Sequence, residues 1–267
     1  IEYLTYALKL SPDDPKINYN LAIYHEKQGD LNAAISSYQK AIKFKPDYSS
    51  AHYNLAICHN EQGDLNSAIS SFQKAIKYKP DFLEAHSNLG NAFREKGDIT
   101  AAISSFQQAL KIKPDNPEVH GNLGLAFLLD GNYQKGLLNY EYRFKALEKS
   151  VKPIANPIIP QWRGENLNSG EQLLVVTEQG LGDTMQFMRY IPYLRQSGID
   201  VSFCAQPKLH DLIKVSTIFS DPLMPEQANC IREGKWTPLL SVLRYLDITP
   251  KNPVVTNPYI HSSVELI

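Results

Sequence analysis

Over the first half of the chain, apolar and polar positions alternate with a helical period, and the pattern then repeats. NLAIYHEKQGD and AAISSYQKAIKFKP each carry apolar residues three and four apart, with Gly-Asp between them. That is the arrangement of two short helices joined by a turn. The unit recurs every 34 residues. Leu21, Leu55, Leu89 and Leu123 fall in one column, and Gly29, Gly63, Gly97 and Gly131 in a second. Ala34, Ala68 and Ala102 form a third, Tyr38, Phe72, Phe106 and Tyr140 a fourth, and Ala41, Ala75 and Ala109 a fifth. Small alanines let helix backbones approach, the aromatic column fills the space between helices, and Pro46, Pro80 and Pro114 stop the second helices. Leu4, Ala7 and Pro12 occupy late columns of the same unit, so the chain opens inside a repeat and the natural protein is expected to begin earlier.

The fourth unit keeps Leu123, Gly124, Gly131 and Tyr140 but places Gly136 and Arg143 in the alanine columns and lacks the closing proline. A terminal repeat is atypical because no further unit covers its face. Its second helix is expected to run through GLLNYEYRFKALEK. The stretch SVKPIANPIIPQWRGENLNSG, with Pro153, Pro157 and Pro160, reads as an extended linker. From Gln172 the pattern changes. LLVVT predicts a strand, EQGLGD a glycine turn, TMQFMRYIPYLRQSG a helix kinked or broken at Pro192, and DVSFCA a second strand. This is the start of an α/β domain with a parallel sheet. KLHDLIK predicts a short helix and WTPLLSVLRYL a later one, while 219–233 has no assignment. The expected organisation is repeats over 1–149 (a partial unit 1–14, then 15–48, 49–82, 83–116 and 117–149), a linker over 150–171 and an α/β domain over 172–267.

Composition narrows the function classes. With 43% hydrophobic and 10% aromatic residues the chain has material for a core. A formal net charge of -1 supplies no general attraction to nucleic acid or to an anionic membrane. No apolar run reaches the roughly 18 residues a bilayer span needs. Cys58, Cys204 and Cys230 are scattered without Cys-x-x-Cys spacing, which disfavours a disulfide framework or a zinc site and makes a reduced, cytoplasmic setting the expectation.

The repeat columns resemble the tetratricopeptide repeat, which has this period and this Leu-Gly, Ala, Phe, Pro order. Asn20, Asn54, Asn88 and Asn122 share one position on the first helix of each unit. The resemblance places that position on the inner, concave surface, where such asparagines hold an extended peptide. An amide suits this because it donates and accepts at once. The alternative is hydrogen bonding between helices of the solenoid. His52, His86 and His120 also form a column, but residues in successive repeats are too far apart to share a metal, so they read as packing residues. Ser36-Ser37, Ser70-Ser71 and Ser104-Ser105 read as surface or packing positions.

Gly180-Leu181-Gly182-Asp183 stands where a strand end meets a helix start, a turn whose open N–H groups attract anions. The third glycine of the dinucleotide fingerprint is absent and no ribose-binding acid follows the second strand, which argues against a nicotinamide cofactor. QWRGENL followed by LLVVTEQGLGDTMQFMRYIPYLRQSG resembles the junction of bacterial tetratricopeptide-repeat proteins fused to a glycosyltransferase domain, similar in layout to O-linked N-acetylglucosamine transferases. The domain itself is similar to the N-terminal, Rossmann-like half of heptosyltransferase-like enzymes.

The resemblance implies a nucleotide-sugar donor as substrate, no further cofactor, and a donor-binding second half beyond Ile267, so that the chain alone is expected to be inactive. It places Asp183 where those enzymes carry an acid suggested as general base, with Glu178 a second candidate and Gly180 and Gly182 beside the donor phosphate. Asp183 also reads as a helix cap, a role that can hold together with the first, Glu178 also reads as a structural residue, and Gln186 and Arg189 as cleft or solvated residues. The rival expectation is a non-catalytic repeat scaffold for protein partners.

Overall fold

A computed structural model of the chain describes residues 2–145, 152–178 and 180–246. The chain divides into two compact units, Ile1–Tyr142 and Arg143–Ile267. The first is helical throughout. After α1 (Glu2–Leu10) come four helix pairs: α2 (Pro15–Lys27) with α3 (Leu31–Phe44), and α4 (Ser49–Glu61) with α5 (Leu65–Tyr78). Then follow α6 (Leu83–Lys96) with α7 (Ile99–Ile112), and α8 (Pro117–Leu129) with α9 (Tyr133–Tyr140).

The Gly-Asp dipeptide is both stop and start. Gly29, Gly63, Gly97 and Gly131 take φ between +77° and +87°, a left-handed backbone that ends the first helix and that only glycine adopts cheaply. The next residue then caps the second helix. Asp30 accepts from the Ala33 N–H at 3.0 Å, Asp64 from Ser67 at 3.1 Å, Asp98 from Ala101 at 3.0 Å and Asn132 from Lys135 at 3.2 Å. The second helices end at Phe44, Tyr78 and Ile112, two residues before each proline.

Packing follows the columns. Ala34, Ala41, Ala68, Ala75, Ala102 and Ala109 are fully buried, as are Tyr38 and Phe106. Each apolar cluster joins one repeat to the first helix of the next: Ala34, Tyr38 and Ala41 pack with Ala51, Leu55 and Cys58, and Ala102, Phe106 and Ala109 with Val119, Leu123 and Ala126. A repeat's core is therefore completed only by its neighbour, as in other solenoids. In the fourth pair, glycines at 124 and 136 bring the backbones together: a methyl group on Gly124 would stand 3.0 Å from the Gly136 carbonyl oxygen.

The expected long last helix is corrected. Regular α-helix stops at Tyr140, Glu141–Lys145 winds as a tighter 3-10 turn, and 146–149 lie outside the described residues. The tightened turn brings Tyr142 onto the His120 ring, stacked at 3.5 Å.

The second unit holds a three-stranded parallel sheet of order β2-β1-β3: β1 (Leu173–Val176), β2 (Val201–Cys204) and β3 (Lys235–Pro238). β1 is central and wholly buried, which is why LLVV carries no polar alternation. Between β1 and β2 lie α10 (Leu181–Phe187) and α11 (Tyr190–Gln196). The break falls at Met188-Arg189, so Pro192 sits in the first turn of α11, where its missing N–H would have had no helical partner anyway. After β2 come α12 (His210–Val215) and α13 (Pro225–Asn229), the latter in the stretch left unassigned by sequence.

Two expectations are revised. WTP extends β3 rather than opening a helix, with α14 (Val242–Tyr245) following a 3-10 turn at Leu239–Ser241. The proline-rich segment, described from 152 onward, is extended but not a free linker. Ala155, Ile159 and Trp162 are buried, and Trp162 and Pro160 bond through their backbones to Trp236 on the outer edge of β3. The segment thus covers an edge that would otherwise expose unpaired N–H and C=O groups. The part of the α/β expectation from 247 to 267 lies outside the described residues.

Candidate functional site

The first helices stand side by side, tied by the asparagine column. Asn54 Nδ2 donates to Tyr19 Oη and Tyr38 Oη, both at 3.1 Å, and Asn88 Nδ2 donates to Tyr53 Oη at 2.9 Å. Each amide thus bridges to the first helix of the preceding repeat. Asn122 accepts from Arg94 at 3.5 Å, and Asn20 is exposed. The four residues do form one aligned row, but in the middle of the row the donor side of each amide is used inside the solenoid. This is the inter-helix role left open by sequence, and it leaves the half-exposed amides their oxygens for anything lying along the face.

Tyr38, unlike Phe72 and Phe106 in its column, carries a hydroxyl, and it donates to Glu26 Oε2 at 2.7 Å. Burial, then this carboxylate, drives its phenol well above the ordinary range. In the next repeat Phe72 fills the same place without a hydroxyl, and Asn60 stands where Glu26 stood. The Asn60 Oδ1 atom is shielded from solvent and accepts no hydrogen bond, and the same holds for Asn91 Oδ1 on α6. Both line a cavity of about 290 Å³ between α4 and α6, floored by Phe72 and flanked by Glu61, Arg94 and Glu95. Reading the columns for what recurs missed Asn60 and Asn91. The signal lies in what varies: Ile23, Ile57, Asn91, Leu125 in one column and Glu26, Asn60, Arg94, Leu128 in another.

The histidine column is structural. His52, His86 and His120 each direct Nε2 at the carbonyl of the preceding Pro46, Pro80 or Pro114, at 2.9, 2.9 and 2.7 Å, tying a helix start to the helix end before it. Burial lowers the His52 pKa below its ordinary 6.5. In each serine pair the second member is buried: Ser37, Ser71 and Ser105.

In the second unit the sequence-selected residues stand at the carboxyl end of β1. Glu178 is buried, and its carboxylate is gripped on both oxygens by Arg143, Nε to Oε2 at 3.0 Å and Nη2 to Oε1 at 2.8 Å. Arg143 also donates to Ser241 Oγ at 3.1 Å. Arg143, a departure from the alanine column, thus has a specific use that sequence reading did not assign. The Gln206 side chain gathers the same corner, donating to the Glu178 carbonyl and accepting from Thr177 at 3.0 Å and Thr184 at 2.9 Å.

Gly180 is the N-cap of α10 and Gly182 its second residue, so Asp183 is third, exposed, and favourably placed against the helix dipole. Asp183 folds back over the turn: a methyl group on Gly180 would meet its Oδ2 at 2.5 Å. The negative carboxylate therefore occupies the approach that a donor phosphate at Gly180 would need. Gln186 is exposed, and Arg189 Nε turns to the Gln186 carbonyl at 2.7 Å. Glu178 and Asp183 are not brought together as a carboxylate pair in bonding contact. Among the described residues no helix is long and apolar enough to cross a membrane, and no three His, Cys, Asp or Glu side chains gather as metal ligands.

Comparison with known proteins bears on the helical unit. Residues 26–59, 58–93 and 90–131 match the TPR repeat family. Among solved structures, the crystal structure of MamA is similar at 22% identity with a TM-score of 0.50, the match covering 52% of this chain and 81% of that one. A second crystal structure of MamA protein matches at 21% identity and TM-score 0.50, over 56% and 85%. MamA 41-end from Desulfovibrio magneticus RS-1 matches at 19% and 0.50, over 52% and 79%. At these identities the likeness establishes a TPR fold and nothing finer. No curated protein matches the sequence. The chain therefore carries TPR repeats, and none of these comparisons supports the fused glycosyltransferase domain, nor the nucleotide-sugar donor, that the resemblance implied.

Proposed function

We propose that the chain is a protein-interaction scaffold whose first-helix face receives an extended segment of a partner protein. The observation that carries this reading is the asparagine row, Asn20, Asn54, Asn88 and Asn122. It recurs at every repeat on a face that is not filled by apolar packing. An extended peptide presents alternating C=O and N–H groups, and spaced amides meet them without regard to side-chain sequence.

The row's own bonding decides which variants to use. Asn54 and Asn88 also brace the solenoid through tyrosines, so their loss would mix binding with stability. Asn20 and Asn122 are the cleaner pair. Peptides selected from a random display library on the full chain are measured by fluorescence anisotropy against Asn20→Ala/Asn122→Ala. Two lost hydrogen bonds at about 0.5–1.5 kcal/mol each predict binding weaker by roughly five-fold to a hundred-fold, with an unaltered melting temperature. Unaltered affinity would oppose the reading, and so would failure to select any peptide above an unrelated helical protein.

A finer role, sugar transfer at the turn after β1, has in its favour that Asp183 is exposed beside a parallel strand's carboxyl end, where open sheets place ligands. In that role Asp183 is the base and Gly180 and Gly182 shape the cleft. Glu178 contributes by holding Arg143, since its carboxylate is buried and paired on both oxygens. In the full-length protein, transfer from a nucleotide-sugar donor that vanishes in Asp183→Asn would establish it, and near-normal turnover in that variant would remove Asp183 from the mechanism.

A further inference from the structure

We propose that the cavity between α4 and α6 is a subsite for a basic side chain, lysine or arginine, of the bound peptide. This rests on the peptide-binding reading above and adds what that peptide must contain.

The repeats differ from one another at the positions that line this cavity. In the first repeat the half-buried acceptor Glu26 is satisfied from within, by the Tyr38 hydroxyl. In the second, both members of that pair have changed. Phe72 has no hydroxyl to give and Asn60 Oδ1 is left without a donor. One repeat further, Asn91 stands in a column that is otherwise Ile23, Ile57 and Leu125, and its Oδ1 is likewise unpartnered. A buried acceptor without a donor costs about 1–3 kcal/mol, and an N–H group brought by a partner would offset that cost at these two amides. Asn χ2 is a broad torsion, so each can turn its oxygen toward an arriving N–H without leaving a low-energy rotamer.

Charge complements the acceptors. Glu61 and Glu95 stand at the rim and are exposed, against one cation, Arg94, whose guanidinium reaches toward Asn122 on the next repeat. Three amides, Asn60, Asn88 and Asn91, line the cavity, two of them with unpartnered oxygens, two carboxylates stand at the mouth, and Phe72 adds an aromatic surface. A cationic side chain on an apolar stem supplies the missing donors and suits such a surface. At about 290 Å³ the cavity lies at the small end of ligand sites, the scale of one side chain.

The experiment is the selection of random peptides on the full chain, with each enriched peptide remade with leucine in place of its lysine or arginine. The expected result is a shared basic position. Replacing that residue is predicted to weaken binding by about ten-fold or more. Glu61→Gln/Glu95→Gln and, separately, Asn91→Leu should weaken the basic peptide and leave the leucine version unmoved. Asn91→Leu folds, because its column already holds leucine at Leu125. Enriched peptides without a basic position, or a basic preference that survives both variants, would overturn the subsite while peptide binding stands. If no peptide is enriched, the peptide-binding reading fails and the subsite with it.

Discussion

Removing one partner of the Arg143–Glu178 pair should unfold the second unit far more readily than removing both. The two side chains are 9% and 1% exposed, and the carboxylate is held on both oxygens. Arg143→Met leaves a buried carboxylate without its counter-charge, which costs about 3–5 kcal/mol. At a urea slope of about 2 kcal/mol/M, that lowers the midpoint by roughly 1.5–2.5 M. Arg143→Met/Glu178→Leu removes the charge as well as its partner, and buried ion pairs replaced by apolar groups come out neutral or up to about 4 kcal/mol more stable. The double variant should therefore recover most of the loss, less the Ser241 hydrogen bond of about 1 kcal/mol. Both tryptophans, Trp162 and Trp236, lie in the second unit, so fluorescence reads that unit while far-UV circular dichroism is dominated by the repeats. The fluorescence midpoint should move and the main dichroism transition should not. A loss below about 1 kcal/mol in Arg143→Met, the range of exposed pairs, would refute the reasoning, and a double variant no better than the single one would refute it too.

Gly97→Ala and Gly121→Ala both place a methyl group in open space, yet they should differ in sign. Gly97 has φ +87°, so alanine there costs about 1–2 kcal/mol. Gly121 lies inside α8, where alanine gains about 0.5–1 kcal/mol, and urea titrations followed by dichroism measure both. Acid should loosen the repeats through His52. Burial and then nearby Lys74 hold its pKa below 6.5 against the Pro46 hydrogen bond, so the unfolded chain takes up a proton that the folded chain resists. The stability is therefore present above about pH 6.5 and lost as pH falls below it, and His52→Asn should show a smaller drop in Tm between about pH 7.5 and pH 5.5. Tyr38→Phe should leave Glu26 and one Asn54 N–H without a partner and cost about 1–3 kcal/mol, read from the same dichroism titration.

The helical unit was legible because each repeat restates the same local rules. A left-handed glycine, an Asp cap and a proline stop are sequence-local, and seeing them three times removes the ambiguity of seeing them once. The second unit was legible only where its elements are local, as in LLVV and the turn that follows. The strand over Lys235–Pro238 and the packed segment after Lys152 depend on pairing with distant residues, and a proline-rich stretch looks the same whether it is solvated or covers a sheet edge. The asparagine row was visible as a column, but its tyrosine partners one repeat back were not, since a hydrogen bond across 35 residues leaves no local periodicity. Glu178 was singled out for its neighbours in sequence. Its partner Arg143 showed only as a break in the alanine column.

The measurement that bears most directly on the scaffold reading is where a selected peptide lies. A photo-crosslinking side chain placed at Ile57, on the first-helix face, and in a second protein at Gln73, exposed on a second helix, answers it. Crosslinking of the peptide from position 57 and not from 73 is the predicted result. Crosslinking from 73 alone, or from neither site while the peptide remains bound, would contradict the account.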